Sequence, residues 1–296
     1  MASILITGGT GLVGRNLCNL LKSKGHNVLI LSRSKTKKTN VFHWDIEKKQ
    51  IDNEAIINAD YIIHLAGAGI ADKRWTKSRK KQLIASRVDS TNLLFEKVKE
   101  LNPNLKGFIS ASGIGFYGAI TSKKIFQEND APYHDFLSKI CILWEKEIYK
   151  FNSLNIRTVV LRTGVVFSKE GGALEKIIKP IKLGVGASLG NGKQYLPWIA
   201  MEDLCNMYVS AIENIDIKGI YNAVAPEHIT NEELTKSIAK TLKKPLWLPN
   251  IPSFFLKIIL GELAVILLEG SRVSSEKIKK TGFNFLFPTI KKYFSK

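Results

Sequence analysis

The chain has 296 residues, of which 45% are hydrophobic and 24% charged, which is ordinary for a globular protein of one large or two small domains. The net charge of +18 favours anionic partners, yet apart from mild clusters at residues 35–38 and 73–81 the lysines are scattered. No zinc-ligand spacing or aromatic RNA-binding motif accompanies them. We therefore expect no nucleic-acid partner and interpret the charge as a solvated, lysine-rich surface.

Cysteine usage indicates a reducing compartment. The cysteines are odd in number and widely separated, which argues against a disulfide framework or a metal site and fits the cytoplasm. They are Cys18, Cys141 and Cys205. We expect each to be a small buried apolar residue rather than a reactive thiol.

No segment predicts export or a membrane span. The first apolar run has no basic segment before it and is soon broken by glycines, so we expect no signal peptide. The one membrane-like stretch is "FFLKIILGELAVILL", residues 254–268, which Lys257 and Glu262 interrupt and which is too short to cross a bilayer. We expect a buried or amphipathic helix there and no membrane partner.

The first 170 residues alternate short apolar runs with helical patterns. The predicted strands are "SILITG", "NVLILSR", "ADYIIHLAG", "GFISAS" and "RTVVLRTGVVF", and the predicted helices are "GRNLCNLLKSKG", Lys77–Leu101 and residues 136–152. Strands separated by such helices imply parallel βαβ units with right-handed crossovers. The predicted fold is α/β, a Rossmann doubly wound parallel sheet covered on both faces.

The pattern changes near residue 171, where Gly-rich turns begin. A helix is predicted over residues 201–214, a strand at "GIYNAVA", and a further helix from Thr230, where "TNEE" is typical of a cap followed by acidic first-turn residues. We interpret residues 171–296 as a smaller C-terminal substrate-side region. It is expected to lie over the C-terminal edge of the sheet, interleaved with residues 1–170 as one structural unit.

The stretch "TGGTGLVG", residues 7–14, lies between a predicted strand and a predicted helix. Its glycines have G-x-x-G-x-x-G spacing, which permits a tight turn, close approach of a pyrophosphate, and packing of the helix on the strand. The helix N-terminus adds free N–H groups and positive potential. The residues expected to hold the dinucleotide are Gly8, Gly9, Thr10, Gly11, Leu12, Val13 and Gly14.

The end of the second strand distinguishes NAD from NADP. An acidic residue there would bond the ribose 2′-hydroxyl, whereas an arginine accommodates a 2′-phosphate. The sequence "ILSRSK" places Ser32 and Arg33 at this point, and Arg33 can make paired, charge-assisted bonds to phosphate. We therefore expect NADP as cofactor and residues 1–170 as the NADP-binding Rossmann core. The alternative for Arg33 is an ordinary surface arginine.

Several motifs occur together in one order: "TGGTGLVG", "HLAGAG", "SASGIGFYG" and "YLPWIAMEDL". With them the chain resembles, over essentially its whole length, the extended short-chain dehydrogenase/reductase superfamily, and most closely its NAD(P)-dependent epimerase/dehydratase-like branch of largely unassigned function. "LRTGVVFSKEGGAL" and "LLEGSRVSSEKIKKTGFNFLFP" also look like that branch.

This resemblance implies further cofactor contacts. Asp45 looks like the acid near the adenine, and "HLAG" looks like the loop under the adenosine ribose and pyrophosphate. Arg87 occupies the usual place of an Asn and would reach a phosphate or the nicotinamide side, and "RTGV" resembles the strand end beside the nicotinamide. The residues so implied are Asp45, His64, Leu65, Ala66, Gly67, Arg87, Arg162, Gly164 and Val165. His64 is equally well explained as a satisfied histidine at a strand end.

The catalytic pair usual in the superfamily is missing. Its members use Tyr as acid/base, a Lys four residues later to lower the Tyr pKa, and commonly a Glu four residues beyond. If Glu145 is that Glu, Cys141 stands at the Lys position and Leu137 at the Tyr position. Cys141 is not expected to be a nucleophile, since no histidine lies near it in sequence.

Two residues near the strand "GFISAS" are candidate catalytic groups. Ser112 is expected at the C-terminal end of the strand, where active sites of open α/β sheets lie. Tyr117 is expected to act as an acid/base from the next loop, or else to pack as an aromatic on the sheet edge. Asp203 is expected to cap the helix after "WIAM".

Two functions remain open. The first is an NADP(H)-dependent oxidoreductase or epimerase acting on an unknown small substrate with atypical catalytic groups. The second is a non-catalytic NADP(H)-binding or sensing protein, which the missing pair favours. The sequence is compatible with a cytoplasmic monomer or homodimer and does not identify the substrate.

Overall fold

We describe residues 1–34 and 38–295 of a computed structural model, so part of the lysine cluster at residues 35–38 lies outside the described residues. The strands are β1 Ser3–Thr7, β2 Asn27–Ser32, β3 Val41–Asp45, β4 Gln50–Ile51, β5 Tyr61–His64, β6 Gly107–Gly113, β7 Ile125–Phe126, β8 Thr158–Thr163, β9 Val165–Ser168, β10 Gly171–Gly172, β11 Trp198–Ala200, β12 Gly219–Ala223 and β13 Arg272–Val273.

Eight strands form the main sheet, in the order β12-β8-β6-β5-β1-β2-β3-β4. Every neighbouring pair is parallel except β3 and β4, which run antiparallel. The chain runs outward from β1 through β2 and β3, then returns to β5 on the other side of β1. This reversal is the topological switch point at which open α/β sheets bind ligands. The predicted Rossmann sheet is therefore confirmed.

The helices are α1 Leu12–Ser23, α2 Asn53–Ile57, α3 Lys77–Leu101, α4 Phe136–Tyr149, α5 Ala173–Lys182, α6 Met201–Glu213, α7 Asn231–Thr241, α8 Ser253–Leu260, α9 Val265–Leu268, α10 Glu276–Lys279 and α11 Ile290–Phe294. The predicted bounds of α3 are confirmed. The predicted cap of α7 is also confirmed, since Thr230 and Glu233 form a reciprocal capping box.

Apolar side chains fill both faces of the main sheet. One cluster joins α1 and α6 to residues of β1, β6 and β8, and includes Leu17, Ile109 and Leu204. The other joins α2, α3 and α4 to the opposite face. Alternate residues of each strand point to opposite faces, so strands covered on both sides must be apolar nearly throughout.

Residues beyond 170 contribute to both the main sheet and the layer above it. β12 is an edge strand of the main sheet and pairs with β8 in parallel. β9, β10 and β11 form a separate three-stranded sheet, and β7 pairs with β13. A division of the chain at residue 170 stays a prediction.

The apolar run at residues 254–268 does not form one helix. Gly261 adopts a φ of +62° between α8 and α9, a conformation that interrupts helical backbone. Four apolar side chains of α8 are exposed, namely Phe254, Phe255, Ile258 and Ile259. The expected burial is therefore wrong for α8. Among the described residues, no helix is both long and apolar enough to cross a membrane.

Asp203 does not cap a helix, contrary to the sequence-based expectation. The N-cap of α6 is Ala200, and Asp203 lies within the helix, fully buried. Its carboxylate accepts hydrogen bonds from the backbone N–H groups of Leu286 (2.7 Å) and Phe287 (2.9 Å). The side chain thus ties the C-terminal segment to α6.

Asp203→Ala is expected to lower the free energy of unfolding by about 2–4 kcal/mol, because it leaves buried N–H groups without an acceptor. Urea denaturation followed by circular dichroism measures this. Glu213→Ala on the same helix removes an exposed carboxylate that lies 3.3 Å from Lys24 Nζ and 3.8 Å from His26 Nε2, and it should change stability by less than about 1 kcal/mol. Equal effects of the two substitutions would contradict the assigned role of Asp203.

Candidate functional site

The glycine loop after β1 has the close approach that its spacing predicts. Gly8 has a φ of +70°, and Gly11 donates its N–H to the Gly8 carbonyl at 3.0 Å, which closes a tight turn. A Cβ on Gly14 would lie 2.2 Å from the Gly8 carbonyl oxygen, so only glycine fits there. α1 begins without a side-chain cap or an acidic residue in its first turn, so its N–H groups are free for an anion.

A buried hydrogen-bonded chain fixes the loop at residues 65–67 beside this turn. The Thr7 hydroxyl accepts from the N–H groups of Leu65 and Ala66, each at 3.1 Å, and donates to His64 Nδ1 at 2.7 Å. The opposite ring nitrogen of His64 lies 3.2 Å from the Ser90 hydroxyl. His64 is thereby a neutral Nε2–H tautomer, assigned from its partners.

His64 is satisfied inside the protein and does not face the cavity. It is fully buried, and burial, with a smaller effect of Arg87, lowers its imidazole pKa to about 3. Of the two explanations for this residue, the structure supports the satisfied histidine. Through Thr7, it helps to position the backbone of Leu65 and Ala66.

A cavity of about 340 Å³, here called the side cavity, lies beside the ends of β2 and β3. Arg33 and Asp45 line it, and Ser32 precedes Arg33 at the end of β2 with its hydroxyl accepting the N–H of Ser34. His43 also lines it, and its Nδ1 is buried without a partner in the described part of the chain. His43 was not predicted from the sequence, because a histidine inside a short strand gives no distinct signal.

A second cavity of about 350 Å³, here called the inner cavity, lies over the C-terminal ends of β6 and β8. Ser112, Gly164 and Val165, all expected at the site, line it. Other lining residues were not predicted, because apolar residues in a sequence are normally assigned to the hydrophobic core. They are Ile70, Ile114, Ile140, Trp144, Leu196, Pro197 and Ile266. Residues from beyond 170 thus cover the strand ends.

Leu137 and Cys141, the residues at the expected Tyr and Lys positions, line the inner cavity. A Cβ on Gly115 would be 3.1 Å from Leu137 Cβ and 3.8 Å from Cys141 Sγ, so both residues face the end of β6. Burial raises the Cys141 thiol pKa to about 12, and the thiol donates to the Gly113 carbonyl at 3.4 Å. Neither residue can take up a proton near neutral pH.

Glu145 and Arg162 form a buried, bidentate ion pair behind the cavity. Arg162 Nε donates to Glu145 Oε1 and Arg162 Nη2 to Glu145 Oε2, both at 2.8 Å. The Ser112 hydroxyl also donates to Glu145 Oε1, at 2.7 Å. Ser112 is therefore held in place with its proton engaged. The Arg162 guanidinium is taken up by Glu145, and the expectation that residues 162–165 form the strand end beside the nicotinamide stays a prediction.

Tyr117 belongs to the same buried network. Its hydroxyl donates to Asn222 Oδ1 at 2.8 Å and accepts from Arg162 Nη1 at 3.0 Å. The side chain is fully buried and does not line the inner cavity, and burial raises its pKa to about 12. The geometry contradicts an acid/base role and supports the alternative, an aromatic packed on the sheet edge.

Arg87 is the one cation that lines the inner cavity within the described residues. Its guanidinium lies 5.1 Å from the Trp144 ring centroid, and Nη1 donates to the Leu83 carbonyl at 3.0 Å. It is 9% exposed, burial lowers its pKa, and no carboxylate of the described chain pairs with it. A buried guanidinium without a counter-ion is a site for an anion or a developing negative charge. The described residues hold no cluster suited to a metal ion.

Comparison with known families agrees with this geometry. Residues 4–223 match the NAD dependent epimerase/dehydratase family, and residues 251–295 match a domain of unknown function, DUF1731. The chain belongs to the NAD dependent epimerase/dehydratase family. The second match begins just before α8 and covers the segment tied down by Asp203.

Relatives of known sequence span almost the whole chain. The epimerase family protein YfhF of Bacillus subtilis is 35% identical over 292 residues, covering 97% of this chain and 95% of the relative. The crystal structure of the human epimerase family protein SDR39U1 with NADPH has a TM-score of 0.89 at 28% identity, covering 99% of this chain and 97% of that one. A nucleoside-diphosphate sugar epimerase from Corynebacterium glutamicum has a TM-score of 0.81 at 30% identity, with 99% and 57% covered.

Arg162→Met is expected to cost about 3–5 kcal/mol of stability, since it leaves the Glu145 carboxylate buried and unpaired. The double variant Glu145→Met, Arg162→Met should lose less than the sum of the single losses, by more than about 1 kcal/mol. Urea unfolding of all three variants tests this. Lys236→Met, at an exposed ion pair with Glu232, is the control and should change stability by less than about 1 kcal/mol. Additive losses at Glu145 and Arg162 would contradict their coupling.

Proposed function

We propose that this protein is an NADPH-dependent reductase of carbonyl compounds that works without a protein acid/base pair. The observation that carries the proposal is Arg87, a buried cation that pairs with no carboxylate of the described residues, in a cavity whose one lining carboxylate, Glu269, is exposed. NADPH, when bound, supplies the hydride. The chain must then bind the carbonyl compound, orient it, and stabilise the charge that forms on its oxygen.

The residues present fit NADP. The glycine turn and the uncapped start of α1 suit a pyrophosphate, and the loop at residues 65–67 is held beside them. Arg33 in the side cavity, with no acid in place of Ser32, suits a 2′-phosphate; the carboxylates of Asp45, Glu47 and Asp89 also line this cavity. The partnerless His43 Nδ1 in the same cavity is a further polar group for a ligand. The NADPH in the human relative supports the same choice.

The cavity favours reduction over oxidation or epimerisation. Oxidation of an alcohol, the first half of an epimerisation, requires a base that removes the hydroxyl proton. Cys141 has a pKa near 12, and the Glu145 carboxylate is occupied by Arg162 and Ser112. Glu269, exposed at the mouth, accepts two hydrogen bonds from Thr121. Reduction needs no base, because the alkoxide formed is itself basic enough to take a proton from water.

Arg87 stabilises that alkoxide. As the carbon–oxygen double bond opens, negative charge develops on the oxygen, and a fixed cation in a water-poor cavity lowers the energy of this state. Packing against Trp144 and the bond to the Leu83 carbonyl hold the guanidinium in place. Arg87 thus stabilises the alkoxide by its charge, whereas a Tyr and Lys pair would do so by transferring a proton to it.

The alternative is an NADPH-binding protein without turnover, which the loss of Tyr and Lys favours. A panel of aldehydes and ketones with saturating NADPH, followed by absorbance of the reduced nicotinamide, separates the two. We expect oxidation of NADPH with at least one class of carbonyl compound. Tight NADPH binding with no oxidation across the panel would establish the alternative instead.

Arg33→Ala is expected to weaken NADPH binding by about 10- to 100-fold and NADH binding by less than about threefold, since only NADPH carries the 2′-phosphate. Fluorescence titration of each dinucleotide measures the two constants without turnover. Arg74→Ala, an exposed arginine outside the side cavity, serves as the control. Equal losses for NADPH and NADH would contradict the assignment.

Arg87→Met is expected to slow NADPH oxidation at saturating substrate by about 10²- to 10³-fold, the usual effect of removing one electrostatic donor. Arg87→Lys should recover part of the rate, because it keeps the charge and loses the planar geometry. NADPH affinity, titrated by fluorescence, should change by less than about tenfold. Lys81→Met, an exposed site on the same helix, is the control.

Loss of NADPH binding in Arg87→Met, with an unchanged rate at saturation, would place Arg87 on a cofactor phosphate. That outcome would remove its proposed role on the substrate oxygen.

A further inference from the structure

The inner cavity continues into a larger one. A cavity of about 940 Å³, here called the outer cavity, lies between α4 and the segment from Pro252 to Glu269. Leu137 and Glu269 line both cavities, so the two meet at these side chains. A ligand with its reacting group near Arg87 can therefore extend past Leu137 into the outer cavity.

The walls of both cavities are mainly apolar. Besides Leu137, the aliphatic and aromatic side chains that line the inner cavity include Ile70, Ile114, Ile140, Trp144 and Ile266. In the outer cavity they are Trp75, Phe136, Pro252, Ala264, Val265 and Leu268. Such walls favour a ligand that leaves water with its own apolar surface.

The charged side chains of the outer cavity disfavour an anionic ligand. One cation, Lys257, faces three carboxylates, those of Asp135, Glu262 and Glu269. Each carboxylate already has a partner in the protein. Asp135 caps α4, Glu262 pairs with Lys80, and Glu269 accepts from Thr121. Lys257 is exposed, so the described residues of the outer cavity offer a diphosphate no buried cation, in contrast to Arg87 in the inner cavity.

We propose that the substrate is a lipophilic carbonyl compound with an uncharged aliphatic chain. The carbonyl lies beside Arg87 in the inner cavity, and the chain lies along Leu137 into the outer cavity. This inference rests on the proposed reductase function. The hydride forms the new carbon–hydrogen bond, the carbon–oxygen π electrons pass to the oxygen, and water supplies the proton. One NADPH becomes NADP⁺ for each alcohol formed.

Binding of straight-chain primary alcohols, from butanol to dodecanol, tests the substrate class in the presence of NADPH, with which an alcohol cannot react because both are already reduced. Trp75 and Trp144 lie in the cavity walls, so quenching of intrinsic fluorescence reports occupancy. The dissociation constant should fall by about fourfold per methylene until the outer cavity is filled. UDP-glucose should give no saturable quenching.

A dissociation constant independent of chain length, or tighter binding of UDP-glucose than of octanol, would overturn the proposal. Binding is measured here without turnover, so the result is independent of catalysis. Chain-length-dependent binding combined with no reduction of the matching aldehydes would instead refute the reductase function and leave the ligand class standing.

Variants in the outer cavity test where the aliphatic chain of the ligand lies. Leu268→Asn should weaken decanol binding by about tenfold, and the more conservative Val265→Thr should also weaken it. Both variants should leave butanol binding unchanged. Ile258→Asn alters an exposed residue of α8 that lines neither cavity and should change neither. Equal losses for both alcohols, or a loss in Ile258→Asn, would show that the chain does not lie in the outer cavity.

Discussion

The buried ion pair between Glu145 and Arg162 organises the carboxyl ends of the sheet. It joins α4 to β8, and through the Ser112 hydroxyl it also holds the end of β6. Tyr117 extends the network from Arg162 to Asn222 on β12. A charge pair taken out of water is stabilising only when its remaining donors and acceptors are satisfied, and here they are. α4 can therefore keep its position without the Tyr and Lys that the family usually carries on it.

Much of the fold could be predicted from the sequence, because periodicity and glycine spacing are local signals. The bounds of α3 and the turn at Gly8 are examples. Predictions that depended on where a side chain points were less successful. Asp203 was assigned by its place in a motif, whereas its partners Leu286 and Phe287 are distant in sequence. The residues that line the cavities were also not predicted, because an isoleucine that faces a cavity has the same local sequence pattern as one in the core.

Loss of a catalytic pair need not mean loss of chemistry. Tyr and Lys handle a proton, whereas a fixed cation only stabilises negative charge on the oxygen, so at neutral pH the oxidation of an alcohol lacks a base for its hydroxyl proton. Arg87, confined between Trp144 and the backbone of Gly67, is suited to stabilising that charge. The apolar walls strengthen its field, because the effective dielectric falls as water is excluded. The same walls that select a lipophilic ligand thus increase the electrostatic effect of the single charge.

His64 carries out no proton transfer in the folded protein, yet it makes the fold sensitive to acid. Its imidazole stays neutral down to a pKa of about 3, whereas an unfolded chain binds a proton there near an ordinary value of about 6.5. As the pH falls from about 6.5 to about 3, His64 binds a proton in the unfolded state but not in the folded state. The free energy of unfolding then declines by up to about 1.4 kcal/mol per pH unit. The burial that keeps His64 neutral beneath the loop at residues 65–66 therefore sets a lower limit to the pH at which this protein stays folded.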